Sequence, residues 1–120
     1  MRFFKLSGAG NDFVLIARRG KTLPSKALIR ELCDRRRGIG ADGLLLVRRS
    51  NGRAPHEVTY WNADGSRAFC GNGTRCAAWW LRLDGAPKTM RLRTEAGLVE
   101  AVVEAPERAR VLMPRARGLK

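Results

Sequence analysis

Apolar and polar positions along the chain change period several times, and each change marks an element. Residues 1–5 and 13–17 read as two short strands, separated by a turn over 6–12 that carries Gly8, Gly10, Asn11 and Asp12. Thr22-Leu23-Pro24-Ser25 reads as a helix start, and Leu28, Ile29, Leu32 and Cys33 form one apolar stripe. An amphipathic helix is therefore expected from Pro24 or Ser25 to Asp34, with Cys33 packed in the core. A basic, glycine-containing loop from Arg35 to Gly43 leads into Leu44-Leu45-Leu46-Val47, a run with the look of a buried strand. Asn51-Gly52 and Pro55 punctuate a turn, after which residues 58–62 are rich in β-branched and aromatic side chains and should pair back as a hairpin. Asn62-Ala63-Asp64-Gly65-Ser66 is a turn and Cys70-Gly71-Asn72-Gly73 a tight loop. The helix expected over 74–83 is apolar almost all round, as a helix enclosed by the rest of its domain must be. Residues 90–94 and 98–103 are further strands and 111–113 a last one, followed by a linker over 114–120. The order β-β-α-β-β-α-β-β with short hairpins predicts an α+β domain over 1–113 rather than a doubly wound parallel sheet, with the second helix at its centre.

Composition narrows the class. A chain of 120 residues, 44% of them apolar, can build one compact domain. Its net charge is +13, distributed as +8 over residues 1–60 and +5 over 61–120, so no basic arm is set apart, and the apolar content is too high for a disordered tail. No apolar run approaches the roughly 18 residues that cross a bilayer, and Met1-Arg2-Phe3-Phe4-Lys5 lacks the apolar core of a signal peptide, so a cytoplasmic location and no membrane partner are expected. Three cysteines, Cys33, Cys70 and Cys76, are an odd number, which in a reducing compartment favours free thiols.

The candidate chemistry gathers at Phe69-Cys70-Gly71-Asn72-Gly73-Thr74-Arg75-Cys76. A cysteine just ahead of a helix, followed by two glycines, leaves backbone N–H groups of Gly71, Asn72 and Gly73 pointing outward at the positive end of the helix dipole. Such a terminus binds anions, and the same field favours a thiolate, which suits Cys70 to act as nucleophile or base. Read structurally, the same loop is a capped turn and Cys70 a small apolar packing residue; the loop alone leaves both open. Asn11 and Asn62 lie in glycine-rich or Asp-Gly turns, where asparagine commonly serves its own backbone. Gly8-Ala9-Gly10 lacks the third glycine of a dinucleotide fingerprint, and Gly20-Lys21-Thr22 has Leu15 where a phosphate loop needs its first glycine, so nucleotide binding is not expected. His56, the single histidine, sits in a polar turn beside Pro55 and is expected at the surface; Cys70 and Cys76 fit no zinc spacing, and no metal site is expected. The arginines at 18–19, 35–37 and 48–49 read as solvated charges at element ends. Trp79 and Trp80 lie within the apolar helix, so core packing accounts for them better than stacking on nucleic acid.

Four blocks in order, Lys5-Leu6-Ser7-Gly8-Ala9-Gly10-Asn11-Asp12-Phe13, Arg37-Gly38-Ile39-Gly40-Ala41-Asp42-Gly43-Leu44-Leu45, Asn62-Ala63-Asp64-Gly65-Ser66 and Cys70-Gly71-Asn72-Gly73-Thr74-Arg75-Cys76, resemble diaminopimelate epimerase. The resemblance covers residues 1 to about 113 and accounts for the N-terminal half of that enzyme. It implies a mixed, largely antiparallel sheet curled around a central apolar helix. It also implies interconversion of LL- and meso-diaminopimelate without pyridoxal phosphate or other cofactor, in lysine and peptidoglycan precursor synthesis. The family uses two cysteines on opposite faces of the α-carbon, because a single base would tend to return the proton to the face it came from. Cys70 matches the first of these, Gly71 and Asn72 match positions that hold the α-carboxylate, and Asn11 and Asn62 match asparagines that hydrogen-bond substrate. Asp64 and Arg75 match residues that brace the loop. Gly43 stands where some relatives place a substrate-contacting glutamine, Ser7 where histidine is common, and Arg37 where an aromatic or hydrophobic residue is frequent.

The resemblance places the second catalytic cysteine in a C-terminal half beyond this chain, and Cys33 and Cys76 read as packing residues that cannot replace it. The chain is accordingly expected to be inactive alone, to take diaminopimelate as its small-molecule substrate with that half as partner, and to expose an apolar cleft face through which a homodimer is conceivable. Two rival readings are a non-catalytic basic binding module, and another racemase or isomerase of the same fold.

Overall fold

A computed structural model describes residues 2–18, 20, 22–106 and 108–112. The linker expected over 114–120, and Met113 of the expected last strand, lie outside the described residues.

The chain opens with a hairpin of β1 (Arg2–Gly8) and β2 (Asn11–Ala17). The turn expected over 6–12 contracts to Ala9 and Gly10, both at positive φ (52° and 88°), the two-residue geometry whose twist matches that of paired strands. Asn11 and Asp12 are thereby strand residues, in register with Gly8 and Ser7. Helix α1 (Lys26–Cys33) is capped by Ser25, whose hydroxyl accepts the Leu28 N–H at 3.1 Å, as the sequence pattern requires. It carries the chain over to β3 (Gly43–Arg48), which runs parallel to β2 with Phe13 opposite Gly43. Strand β4 (His56–Asn62) returns antiparallel to β3, and the two-residue β5 (Arg67–Ala68), not anticipated from the sequence, pairs with β4 at Tyr60 and Trp61. Helix α2 (Gly71–Leu83) follows, then β6 (Thr89–Thr94), parallel to β4, and the antiparallel pair β7 (Gly97–Ala105) and β8 (Arg108–Leu112).

The sheet order is β1-β2-β3-β4-β6-β7-β8 with β5 beside β4, mixed and largely antiparallel, as expected for the α+β class. Helix α2 touches β1 and β2 at one end of that order and β7 and β8 at the other, so the sheet curls around it as a half-barrel. The alternation of side chains sorts two cores. Phe13, Leu15, Leu45, Val47, Val58 and Tyr60 face α2, whereas Val14, Ile16, Leu44, Leu46 and Trp61 face outward onto Ile29 and Cys33 of α1. A sheet covered on both faces explains why 13–16 and 44–47 are unbroken apolar runs instead of alternating ones.

Helix α2 ends at Leu83 as expected but differs from its expectation in its start and its enclosure. It starts three residues earlier than expected, at Gly71, because Cys70 caps it: its sulfur accepts the Gly73 N–H at 3.4 Å and its carbonyl accepts Thr74 N–H at 2.9 Å. It is not enclosed all round either. Thr74, Ala77, Ala78, Trp80 and Leu81 are buried, Cys76 and Trp79 are half-buried, and Leu83 is 64% exposed. His56 is a further correction. Expected at the surface, it opens β4 with 8% exposure, and its Nδ1 accepts the Ser50 N–H at 3.0 Å. Burial, and then the neighbouring Arg49 charge, push its pKa down, which keeps it neutral.

At Gly38 a Cβ would fall on the backbone carbonyls of Glu31 and Leu32, with the Leu32 oxygen at 2.7 Å. Backbone cannot swing aside as a side-chain tip can. Gly38→Ala is therefore expected to destabilise the fold by about 1–3 kcal/mol, read as a lowered urea midpoint; an unchanged midpoint would mean that the 34–42 loop shifts freely.

Candidate active site

Because β2 and β3 are parallel and β4 runs against them, the start of β2, the start of β3 and the end of β4 meet at one end of the sheet. Asn11, Gly43 and Asn62 occupy those three positions, and the period of two puts Asn11, Phe13, Gly43, Tyr60 and Asn62 on the face turned toward α2. The first turn of α2 descends onto this face. Gly73 permits the close approach: a Cβ there would lie 3.3 Å from Leu45 Cδ2 and 3.4 Å from Phe13 Cε1.

Asn72 Nδ2 donates to Asn11 Oδ1 at 2.9 Å, and Asn11 Nδ2 donates to Asp42 Oδ2 at 3.2 Å. Arg75 in turn donates to Asn72 Oδ1. Among the described residues the Gly71 and Asn72 backbone N–H groups have no acceptor, so both are free to bind an anion at the positive end of the helix. Cys70, a free thiol of intermediate exposure, sits at the same terminus. Asn62 shares the sheet end but not this hydrogen-bonded chain; its Nδ2 donates to Ser66 Oγ at 3.1 Å, within a turn that Asp64 closes by accepting from the Ser66 hydroxyl at 2.6 Å. The geometry thus joins Cys70, Gly71, Asn72 and Asn11 directly and sets Asn62 beside them across Gly43. Arg75 braces the loop through Asn72, and Asp64 braces the turn that follows Asn62.

Of the other two cysteines, Cys33 stands apart from this site and Cys76 borders it. Cys33 is in the outer core, where burial pushes its thiol pKa up. Cys76, also raised by burial, lies against Gly8, where a Cβ would come within 2.7 Å of its sulfur. It lines a cleft of about 550 Å³ between the end of β1, α2 and β8, along with Asn72, Arg75, Trp79 and Arg108. His56, at the opposite end of β4, is six residues or about 20 Å of strand from Asn62, too far to form a dyad with Cys70.

Sequence reasoning missed a charged clamp on the outer face. Arg35, read as a solvated charge, grips both oxygens of Asp12 at 2.9 and 2.8 Å and reaches Asp42 at 3.2 Å. Lys5 also pairs with Asp12 at 3.2 Å. Asp12 and Asp42 exchange backbone N–H bonds to each other's carboxylates, both at 3.0 Å. The one sequence signal was that each aspartate stands just ahead of a strand-like apolar run. Tyr60 was also missed as a polar group: its ring meets Phe13 edge-on at 6.0 Å, and its hydroxyl lies over the Cα of Gly43.

This half-barrel around a capped helix is a known fold. A phenazine biosynthesis protein of the PhzF family from Bacillus anthracis shares it with a TM-score of 0.59 at 19% identity, over 86% of this chain and 34% of that one. Sequence goes further than fold. The profile of the diaminopimelate epimerase family matches residues 3–118. The diaminopimelate epimerase of Chlorobaculum tepidum is 44% identical over 113 residues, covering 90% of this chain and 44% of the relative. That of Phenylobacterium zucineum is 41% identical over 101 residues, covering 82% and 36%. The chain belongs to the diaminopimelate epimerase family, and it spans about two fifths of the length of these relatives.

Cys70, half-buried like Cys76, is the thiol at the helix N-terminus, while burial pushes up the thiol pKa of Cys33 and Cys76. Iodoacetamide at neutral pH is therefore expected to label Cys70 first, as read by peptide mass spectrometry; earlier labelling of Cys76 would contradict the placement. The Arg35 guanidinium beside Asp12 holds its carboxyl well below the usual carboxylate range. That interaction adds stability above the unfolded value near pH 4 and loses it as pH falls toward the depressed native value. Arg35→Ala should cost about 1 kcal/mol at pH 7, modest because Arg35 is 58% exposed. The gap from the parent should narrow below about pH 4 in urea titrations; a gap constant from pH 7 to 2 would assign the loss to packing.

Proposed function

We propose that this chain supplies one half of a diaminopimelate epimerase centre, in which Cys70 exchanges the α-proton of the substrate while Gly71, Asn72, Asn11 and Asn62 hold it. The observation that carries the reading is Cys70 capping α2 beside the two free N–H groups of Gly71 and Asn72, with Asn72 tied to Asn11. Membership of the family supports it.

The chemistry follows from the arrangement. The substrate carboxylate accepts from the Gly71 and Asn72 N–H groups, which places the α-carbon over the Cys70 sulfur. The thiolate takes the α-proton, forming S–H, and the C–H electron pair spreads into the carboxylate, where the helix terminus stabilises the added charge. Inversion needs a second acid on the opposite face of the carbon. Neither Cys33, in the outer core, nor Cys76, against Gly8, supplies it. The second cysteine belongs to the remaining part of the longer relatives, and this chain alone carries half of the reaction. No step calls on pyridoxal phosphate or a metal, and the enzyme serves cytoplasmic lysine and peptidoglycan precursor synthesis.

The test is loss of the α-hydrogen NMR signal of LL- and meso-diaminopimelate in D₂O. The chain alone is expected to leave the signal intact, and addition of the C-terminal part of a relative to start exchange that Cys70→Ala abolishes. Exchange by the chain alone, lost in Cys70→Ala, would overturn the need for a second half. Exchange indifferent to Cys70→Ala would overturn the role of that thiol.

A further inference from the structure

Tyr60 is a buried polar residue that the fold leaves unexplained. It is only 8% exposed, yet among the described residues its hydroxyl makes no hydrogen bond, neither to Cys70 nor to any other group. No unpartnered side-chain oxygen or nitrogen among the described residues is fully shut away from solvent, so the Tyr60 oxygen opens onto accessible space. The direction of that opening is fixed by two facts. Tyr60 shares the inner face with Asn62, two residues on. Its ring runs toward the same sheet end, because a Cβ at Gly43, the register partner of Asn62, would overlap both the ring and the hydroxyl. Burial raises its ionisation to about 12, which keeps it a neutral donor.

A phenol held by Phe13 at its edge, with a hydroxyl that no protein group uses and that opens at the sheet end beside Asn62, leaves an oriented donor free for a ligand. Gly43 is glycine for the same reason: any side chain there would displace the ring. We propose that Tyr60 is a specificity-determining residue, its hydroxyl donating a hydrogen bond to a carboxylate oxygen of the amino-acid substrate in the space left clear at Gly43. The inference rests on the half-site reading above and extends it by one hydrogen bond.

The test is titration of the ¹⁵N-labelled full chain with meso-diaminopimelate, following the Gly71 and Asn72 amides. The parent is expected to bind with measurable shifts. Tyr60→Phe, which keeps the ring and its packing, should raise Kd about 10- to 100-fold with an unchanged melting temperature. Asn62→Ala serves as the comparison. If Asn62→Ala weakens binding and Tyr60→Phe does not, the role of Tyr60 is overturned and the half-site reading stands. If the parent shows no shift at saturating millimolar substrate, the half-site reading falls, and the Tyr60 hydrogen bond with it.

Discussion

The descent of α2 onto the end of the sheet is the constraint on which the site depends. A helix terminus can carry a reactive group only if its first turn is held still, and here that turn rests on apolar side chains below and is tied by an amide at its side. Gly73 lets the backbone settle between Leu45 and Phe13, and Gly8 makes room on the neighbouring strand for Cys76. With the helix seated, the Asn72 amide reaches Asn11 at 2.9 Å, and among the described residues the Gly71 and Asn72 N–H groups of the first turn keep no acceptor. Larger side chains at either glycine would lift the terminus, and the hydrogen bond between Asn72 and Asn11 would be the first to break.

The two faces of the sheet divide the labour. The inner face carries the candidate binding groups, Asn11, Tyr60 and Asn62, around a helix terminus with no competing acceptor among the described residues. The outer face carries the charged clamp of Lys5, Asp12, Arg35 and Asp42. Asn11 is where they join. An unsupported asparagine amide can flip, presenting donor or acceptor to the same neighbour. Donation to the Asp42 carboxylate settles the matter, because a carboxylate accepts and does not donate, so the Asn11 oxygen must face Asn72. Arg75, a pure donor, fixes the other end of the chain by taking the Asn72 oxygen.

Much of this was legible in the sequence, and the part that was not has common causes. The strands at 13–17 and 44–47, the α1 cap at Ser25 and the α+β order were readable because short-range pattern determines them. The turn over 6–12 and the start of α2 were misplaced because glycine and asparagine signal loops locally, whereas cross-strand register at Gly8 and Asn11, and capping by Cys70, override that signal. Cysteine is a rare cap, so the helix was read from Thr74, where the apolar pattern begins. His56 was misjudged for a similar reason: Pro55 marks a turn, but a hydrogen bond from Ser50 allows a neutral imidazole to start a strand in the interior. The candidate cluster was picked out beforehand, Cys70, Gly71 and Asn72 from the loop ahead of the helix and Asn11 and Asn62 from the resemblance. The clamp and Tyr60 were not, since each depends on residues brought together from separate strands and loops.

A site built at the end of one curled sheet has an intrinsic sidedness. Every candidate group here approaches from the side of α2 and the three strand ends, so a carbon bound at the Gly71–Asn72 terminus presents one face to Cys70 and the other away from the described chain. For a reaction that only removes a proton such a site would be complete. For one that inverts configuration it cannot be, whatever the reactivity of its thiol, because the returning proton has to come from the uncovered face. The span of about two fifths of the length of its relatives fits that asymmetry. On the proposed reading the fold supplies one oriented side of the site, and inversion would need an acid on the open side.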